Sequence, residues 1–100
     1  MALIRVTASD IRAKKEQLLE LNGQFKAQVG TLETSEGTLN GQWEGAANEA
    51  FHKAFMDDKG YMDQFYNLII KYCEVLEQIA IKYEQAEEAN RDTATTRTAR

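Results

Sequence analysis

The sequence has no proline, only six glycines, one cysteine and one histidine. Without proline nothing obliges a long helix to kink or stop, so the chain reads as helical before any pattern is sought. A lone cysteine, Cys73, excludes an internal disulfide, and with a lone histidine, His52, no Cys/His cluster exists to hold zinc or an iron cluster. Covalent chemistry needs a nucleophile beside a base, and these two residues stand apart. His52 follows Phe51 and reads as an ordinary helix-flank histidine, and Cys73 reads as a small hydrophobe. No glycine loop is suited to cradling phosphate. The acids Glu16, Glu20, Asp57, Asp58, Glu84, Glu87 and Glu88 lack the glycine-containing oxygen-ligand loop of a calcium site, so they read as a solvated face. The expectation is a protein that is not an enzyme, with no catalytic, cofactor-binding or metal-binding residues.

Excess positive charge is also missing. The formal net charge is -4, and because Arg91, Arg97, Arg100 and Asp92 give residues 91 to 100 a sum of +2, residues 1 to 90 carry -6. An acidic body repels phosphate, which disfavours nucleic acid as a partner. Long hydrophobic runs are lacking too. The N-terminus Met1-Ala2-Leu3-Ile4-Arg5-Val6-Thr7 has no continuous apolar core of signal-peptide length, and later apolar runs are no longer than Leu68-Ile69-Ile70, far too short to span a bilayer. A soluble chain made in the cytoplasm without a cleaved signal peptide is expected, with no stable membrane insertion. Helix-surface action on membranes is disfavoured because the polar face of the second helix is acidic.

What is present is helical periodicity. Hydrophobic residues make up 43% of the chain and charged residues 28%, the balance of a protein that packs. Thr7, followed three residues later by Asp10 and then Ile11, forms a variant capping box and starts helix 1 near Ala8. Ile11, Leu18, Phe25, Leu32 and Leu39 then recur every seven residues, widened by Leu21 and Val29, and predict a helix over about 8–40 with one buried face. A second stripe, Phe51, Phe55, Asp58, Met62, Phe65, Ile69, Tyr72, Leu76, Ile79, Tyr83 and Ala86, alternates steps of four and three. That is coiled-coil spacing, and it predicts a continuous helix over about 46–90. Gly60 does not break its phase.

Between the helices, Asn40-Gly41-Gln42-Trp43-Glu44-Gly45 supplies two glycines for a reversal, so a turn is expected over about 41–45. Residues 1–90 form a single helical-hairpin domain on this reading, and the Thr/Ala/Arg-rich residues 91–100 a flexible tail. One hairpin offers one seam, and the aromatic supply exceeds what one facing helix can bury. The expected fold class is therefore all-α, an antiparallel helical hairpin that dimerises into a four-helix bundle. Gly23, Gly30 and Gly37 also recur every seven residues, on the helix 1 face roughly opposite the leucine line.

Trp43-Glu44-Gly45, at the midpoint of a hundred-residue helical hairpin with proline-free flanks, resembles the signature of the Trp-x-Gly (WXG) family of early-secretory-antigenic-target (ESAT)-like proteins, substrates of type VII secretion systems. The resemblance covers nearly the whole chain. It implies a turn and secretion motif at Trp43 and Gly45. It also implies a C-terminal Tyr-x-x-x-Asp/Glu export signal, met by Tyr83 and Glu87; of the four tyrosines only Tyr83 has an acid four residues on. The implied function is a secreted, non-catalytic interaction factor or adaptor for co-secretion, exported as a folded dimer. The alternative is a cytoplasmic helical chaperone of a larger secreted toxin.

The resemblance implies partners as well: a second copy, or alternatively a sister protein in a heterodimer; the secretion ATPase; and larger secreted effectors. The homodimer is preferred because the seam shows no single-sign charge line that asks for a different partner. Ile11, Leu18, Phe25, Leu32, Leu39, Phe51, Phe55, Met62, Phe65, Ile69, Tyr72, Leu76 and Ile79 are the expected packing and dimer residues. With the turn centred on Trp43, Ala8 is expected to pair near Gln78, leaving Tyr83 and Glu87 on a projecting end of helix 2. Two hairpins packed antiparallel then bring Trp43 of one subunit toward the export signal of its partner.

Overall fold

The computed structural model describes residues 6–98, with side chains described as far as Arg91. Met1–Arg5, including the segment read for signal-peptide character, lie outside the described residues, as do the last two residues of the expected tail. Two helices form the hairpin, α1 over Ala8–Gln42 and α2 over Ala46–Thr98. The molecule measures 84 × 26 × 15 Å, and its length is that of α2, since 53 residues rise about 80 Å.

α1 starts where its capping residues place it. The Asp10 amide donates to Thr7 Oγ1 and the Thr7 amide donates to Asp10 Oδ2, each at 3.1 Å, so two orphan donors are satisfied reciprocally. α1 ends at Trp43, whose backbone turns extended (φ −119, ψ 115), and α2 opens one residue after Gly45. α2 continues to Thr98, beyond the end expected near Asn90. Residues 91–98 contain neither proline nor glycine, so no residue there interrupts propagation of the helix.

The seam between the helices falls on residues with little hydrophobic signal. Glu36 meets His52, Asn22 meets the Tyr66 backbone and Lys15 meets Cys73, a register that moves in equal and opposite steps of seven or fourteen. One further step of seven sets Ala8 level with Ala80, and both are buried. Ala8, Lys15, Asn22, Val29 and Glu36 thus form the inner line of α1, and His52, Lys59, Tyr66, Cys73 and Ala80 that of α2. Small side chains at Ala8, Cys73 and Ala80 let the backbones approach. Asn22 donates from Nδ2 to the Tyr66 carbonyl at 3.0 Å, and Asn48 donates to Asn40 Oδ1 at 2.8 Å beside the turn.

The leucine line of helix 1 is not the centre of the seam within one hairpin. Ile11 is buried and Leu18 and Phe25 are half-buried, but Leu32 and Leu39 are exposed. The line lies one position to the side of the seam because polar residues matched across the hairpin occupy its centre. On α2, Phe55, Met62, Ile69 and Leu76 flank the seam half-buried, while Phe51, Phe65, Tyr72 and Ile79 lie further out and are exposed.

The two sides of the seam therefore differ. On one, charges zip the helices together: Arg12 Nη2 to Glu77 at 3.2 Å, Lys15 to Glu77 at 2.8 Å and Lys59 to Glu33 at 3.0 Å. Solvent reaches these pairs and screens them, so each adds little to stability and their effect is to fix register. On the other, the leucine line of α1 and the aromatic stripe of α2 border an open apolar face. Phe25 and Phe65 meet edge to face there with ring centroids 5.4 Å apart. A shallow groove of about 190 Å³ beside them is lined by Leu18, Leu21, Asn22, Phe25, Phe65 and Ile69.

Candidate functional site: the turn, the far end of the hairpin and the open apolar face

Trp43, Glu44 and Gly45 make the whole connection between the helices. Gly45 has φ +115, a conformation that glycine adopts freely and L-residues rarely do. Its carbonyl accepts from the Glu49 amide at 3.2 Å, which closes the first turn of α2. The Trp43 ring lies 5.8 Å from the Phe51 ring and keeps 37% of its surface exposed, so this large aromatic is anchored on one side and available on the other. Below the turn, the buried Glu36 carboxylate faces His52 Nδ1 at 2.6 Å. The lone histidine is thus more than a flanking residue. That pairing was invisible in sequence because the two residues are sixteen apart and only the register brings them together.

Tyr83 and Glu87 lie at the other end of the hairpin, so one chain does not bring them to Trp43. Tyr83 is exposed, and the two residues stand one helical turn apart on α2. α2 extends eighteen residues past Ala80, but Glu87 does not simply project: its Oε1 accepts from the Ala8 amide at 3.2 Å, at the start of α1. Ala8 is the first helical residue, whose amide has no partner within its own helix, and the positive end of α1 favours a carboxylate there. Sequence reasoning missed this contact, since it follows only from the register.

One turn before Glu87, Arg12 Nη1 donates to Glu84 Oε2 at 2.7 Å, and Arg12 Nε and Nη2 donate to Glu77 Oε2 at 3.3 and 3.2 Å. Lys15 first and Arg12 second hold the Glu77 carboxyl below its usual range, and Arg12 does the same for Glu84. The reciprocal effect raises Lys15, through Glu77, and Arg12, through Glu84 and then Glu77. An acid-base cluster therefore binds the end of α1 to the extension of α2.

The Cys73 thiol is buried, 3.9 Å from the Lys15 carbonyl. Among the described residues no group of three or more His, Cys, Asp or Glu is placed to hold a metal ion, and no helix is long and apolar enough to cross a membrane.

A family model described as proteins of 100 residues with WXG matches residues 3–88. Among solved structures, the secreted protein EsxB from Bacillus anthracis str. Sterne is similar to this chain with a TM-score of 0.76 and 26% identity, over 87% of this chain and 99% of that one. A wild-type crystal form of the same EsxB gives a TM-score of 0.75 and 27% identity, over 84% of this chain and 97% of that one. EsxA of Geobacillus thermodenitrificans shares the fold, with a TM-score of 0.73 at 22% identity over 89% of this chain and 96% of that one. No curated protein sequence matches. With the Trp43-Glu44-Gly45 turn between two long helices and a family match over most of its length, this chain belongs to the WXG100 family.

Proposed function

We propose that this protein is a non-catalytic type VII secretion substrate, exported as a folded homodimer in which two hairpins pack antiparallel into a four-helix bundle. The uncovered apolar face carries the argument. Phe51, Phe65, Tyr72 and Ile79 of α2 and Leu21, Leu32 and Leu39 of α1 are all exposed on one side of the hairpin. A contiguous apolar surface of this kind marks an interaction site. The charged side of the same hairpin is already paired with itself. Two copies joined through their apolar faces cover both stripes, and an antiparallel arrangement sets the Trp43 turn of one chain against the Tyr83 end of the other.

In this reading Trp43 is an aromatic anchor for the secretion ATPase, Gly45 permits the turn that presents it, and Tyr83 and Glu87 supply the second half of the recognised surface. The membership of the chain in the WXG100 family and the description of its EsxB neighbour as secreted support export. The role after export is that of an interaction factor or an adaptor for co-secreted effectors.

The test is the exported fraction in the native producer for wild type, Trp43→Ala and Glu87→Ala, with circular dichroism and light scattering establishing that each variant remains a folded dimer. Retention of both variants in the cell with the dimer intact is expected. A wild-type protein that never leaves the cell and exchanges subunits with the helical head of a larger toxin would replace this reading with that of a cytoplasmic chaperone.

A further inference from the structure

We propose that the first turn of α1 is a working part of the export element: Ala8 and Arg12 are positioning residues that hold the Tyr83–Glu87 stretch of α2 in the orientation a receptor reads. The inference rests on the export reading above and adds to it residues from the opposite end of the sequence. Beyond Ala80 the extension of α2 has run out of α1 to pack against, and such a segment frays and twists readily. Side chains on α2 slope toward its own N-terminus, so Glu84 and Glu87 lean back toward the end of α1. There they meet Arg12 Nη1 at 2.7 Å and the Ala8 amide at 3.2 Å.

Two features make this more than incidental capping. The Thr7 and Asp10 pair already caps α1 locally, so Glu87 is not needed to start the helix. Its partner is instead the amide of a residue only 4% exposed, where water has little access. Two contacts on successive turns of α2 fix its rotation about its own axis as well as its position. Tyr83 is thereby presented to solvent at a set angle to the Glu87 carboxylate.

Ala8→Pro removes the donor and adds ring carbons at a buried position, so its fold is checked first. Proline is favoured at the first helical position, and Thr7 before it is already extended (φ −99, ψ 163), the conformation a residue preceding proline takes. Arg12→Ala removes the second contact from a partly exposed site, and Arg12→Lys restores a charge without the fork. The measurements are amide hydrogen exchange over residues 81–91 of the purified full-length protein, its solution mass, and the exported fraction in the producer beside Glu87→Ala.

Ala8→Pro and Arg12→Ala are expected to keep the dimer mass, to exchange several-fold faster over 81–91 and to be exported several-fold less, with Arg12→Lys intermediate in both. Arg12→Ala alone carries the test if Ala8→Pro does not fold. Unchanged exchange overturns the proposal, and so does faster exchange with full export. Normal export of Glu87→Ala overturns the export reading itself, an outcome distinct from failure of the clamp.

Discussion

The same substitution, glycine to alanine, is expected to change stability in opposite directions at two positions of this hairpin. Gly45 sits at φ +115, where an L-residue is strained, and no heavy atom lies within 4 Å of the place a Cβ would take. Gly45→Ala therefore adds no clash, and its cost is that of the backbone alone, about 1–3 kcal/mol. Gly30 lies inside α1 with equally open surroundings and ordinary helical geometry. Gly30→Ala should stabilise by about 1 kcal/mol through helix propensity. For a domain of this size each kcal/mol moves the melting temperature by about 4–8 °C. The two variants should therefore separate clearly on either side of wild type in thermal and urea unfolding at one fixed protomer concentration, because the midpoint of an associating protein depends on concentration. An unchanged urea m-value would show that the shift is one of stability. A neutral Gly45→Ala would refute the argument from the turn. A destabilising Gly30→Ala would show that the face carrying Gly23, Gly30 and Gly37, open in the single hairpin, is a contact surface in the assembled protein.

Three further outcomes test the rest of the structure. Phe65→Glu, in the centre of the apolar face, should shift the solution mass from dimer toward monomer by light scattering, whereas Met56→Glu on the charged side should leave it unchanged. Glu77 and Glu84 have carboxyl groups held below their ordinary value of 4.5, so the stability they contribute is present at neutral pH and is lost as pH falls from about 4.5 through their folded-state values. Arg12→Ala should flatten that acid limb in a series of urea titrations without changing the plateau between pH 6 and 8 in shape. Asn22→Leu replaces a buried amide whose Oδ1 has no protein donor, so it should change stability by less than about 1 kcal/mol while loosening the register, read as extra amide resonances in an NMR spectrum.

The hairpin was legible because its signals are local. Thr7 and Asp10 announce the start of α1, Gly45 marks the reversal, and the four-and-three period of α2 keeps its phase from Phe51 to Ala86 with Asp58 as its polar exception. The inner seam was not legible, because hydrophobic periodicity finds apolar residues and the line of closest approach holds Ala8, Lys15, Asn22, Glu36, His52 and Cys73. What the periodicity found instead was the open face next to that seam. Contacts between distant positions, such as Glu36 with His52 or Ala8 with Glu87, depend on register, and no single-helix pattern encodes register. Trp43 and Glu87 were legible as a motif, whereas the use of Glu87 at the start of α1 was not.

The elongation of the hairpin decides how its assembly has to be weighed. Its radius of gyration is 23.1 Å, against about 13 Å for a compact domain of 100 residues. Friction in solution follows length, so a single hairpin elutes from a sizing column ahead of a globular protein of equal mass. A second hairpin laid alongside thickens the rod far more than it lengthens it, and shifts the elution volume less than a doubling of mass suggests. Shape-independent weighing, by light scattering or sedimentation equilibrium, is therefore the measurement that distinguishes one copy from two.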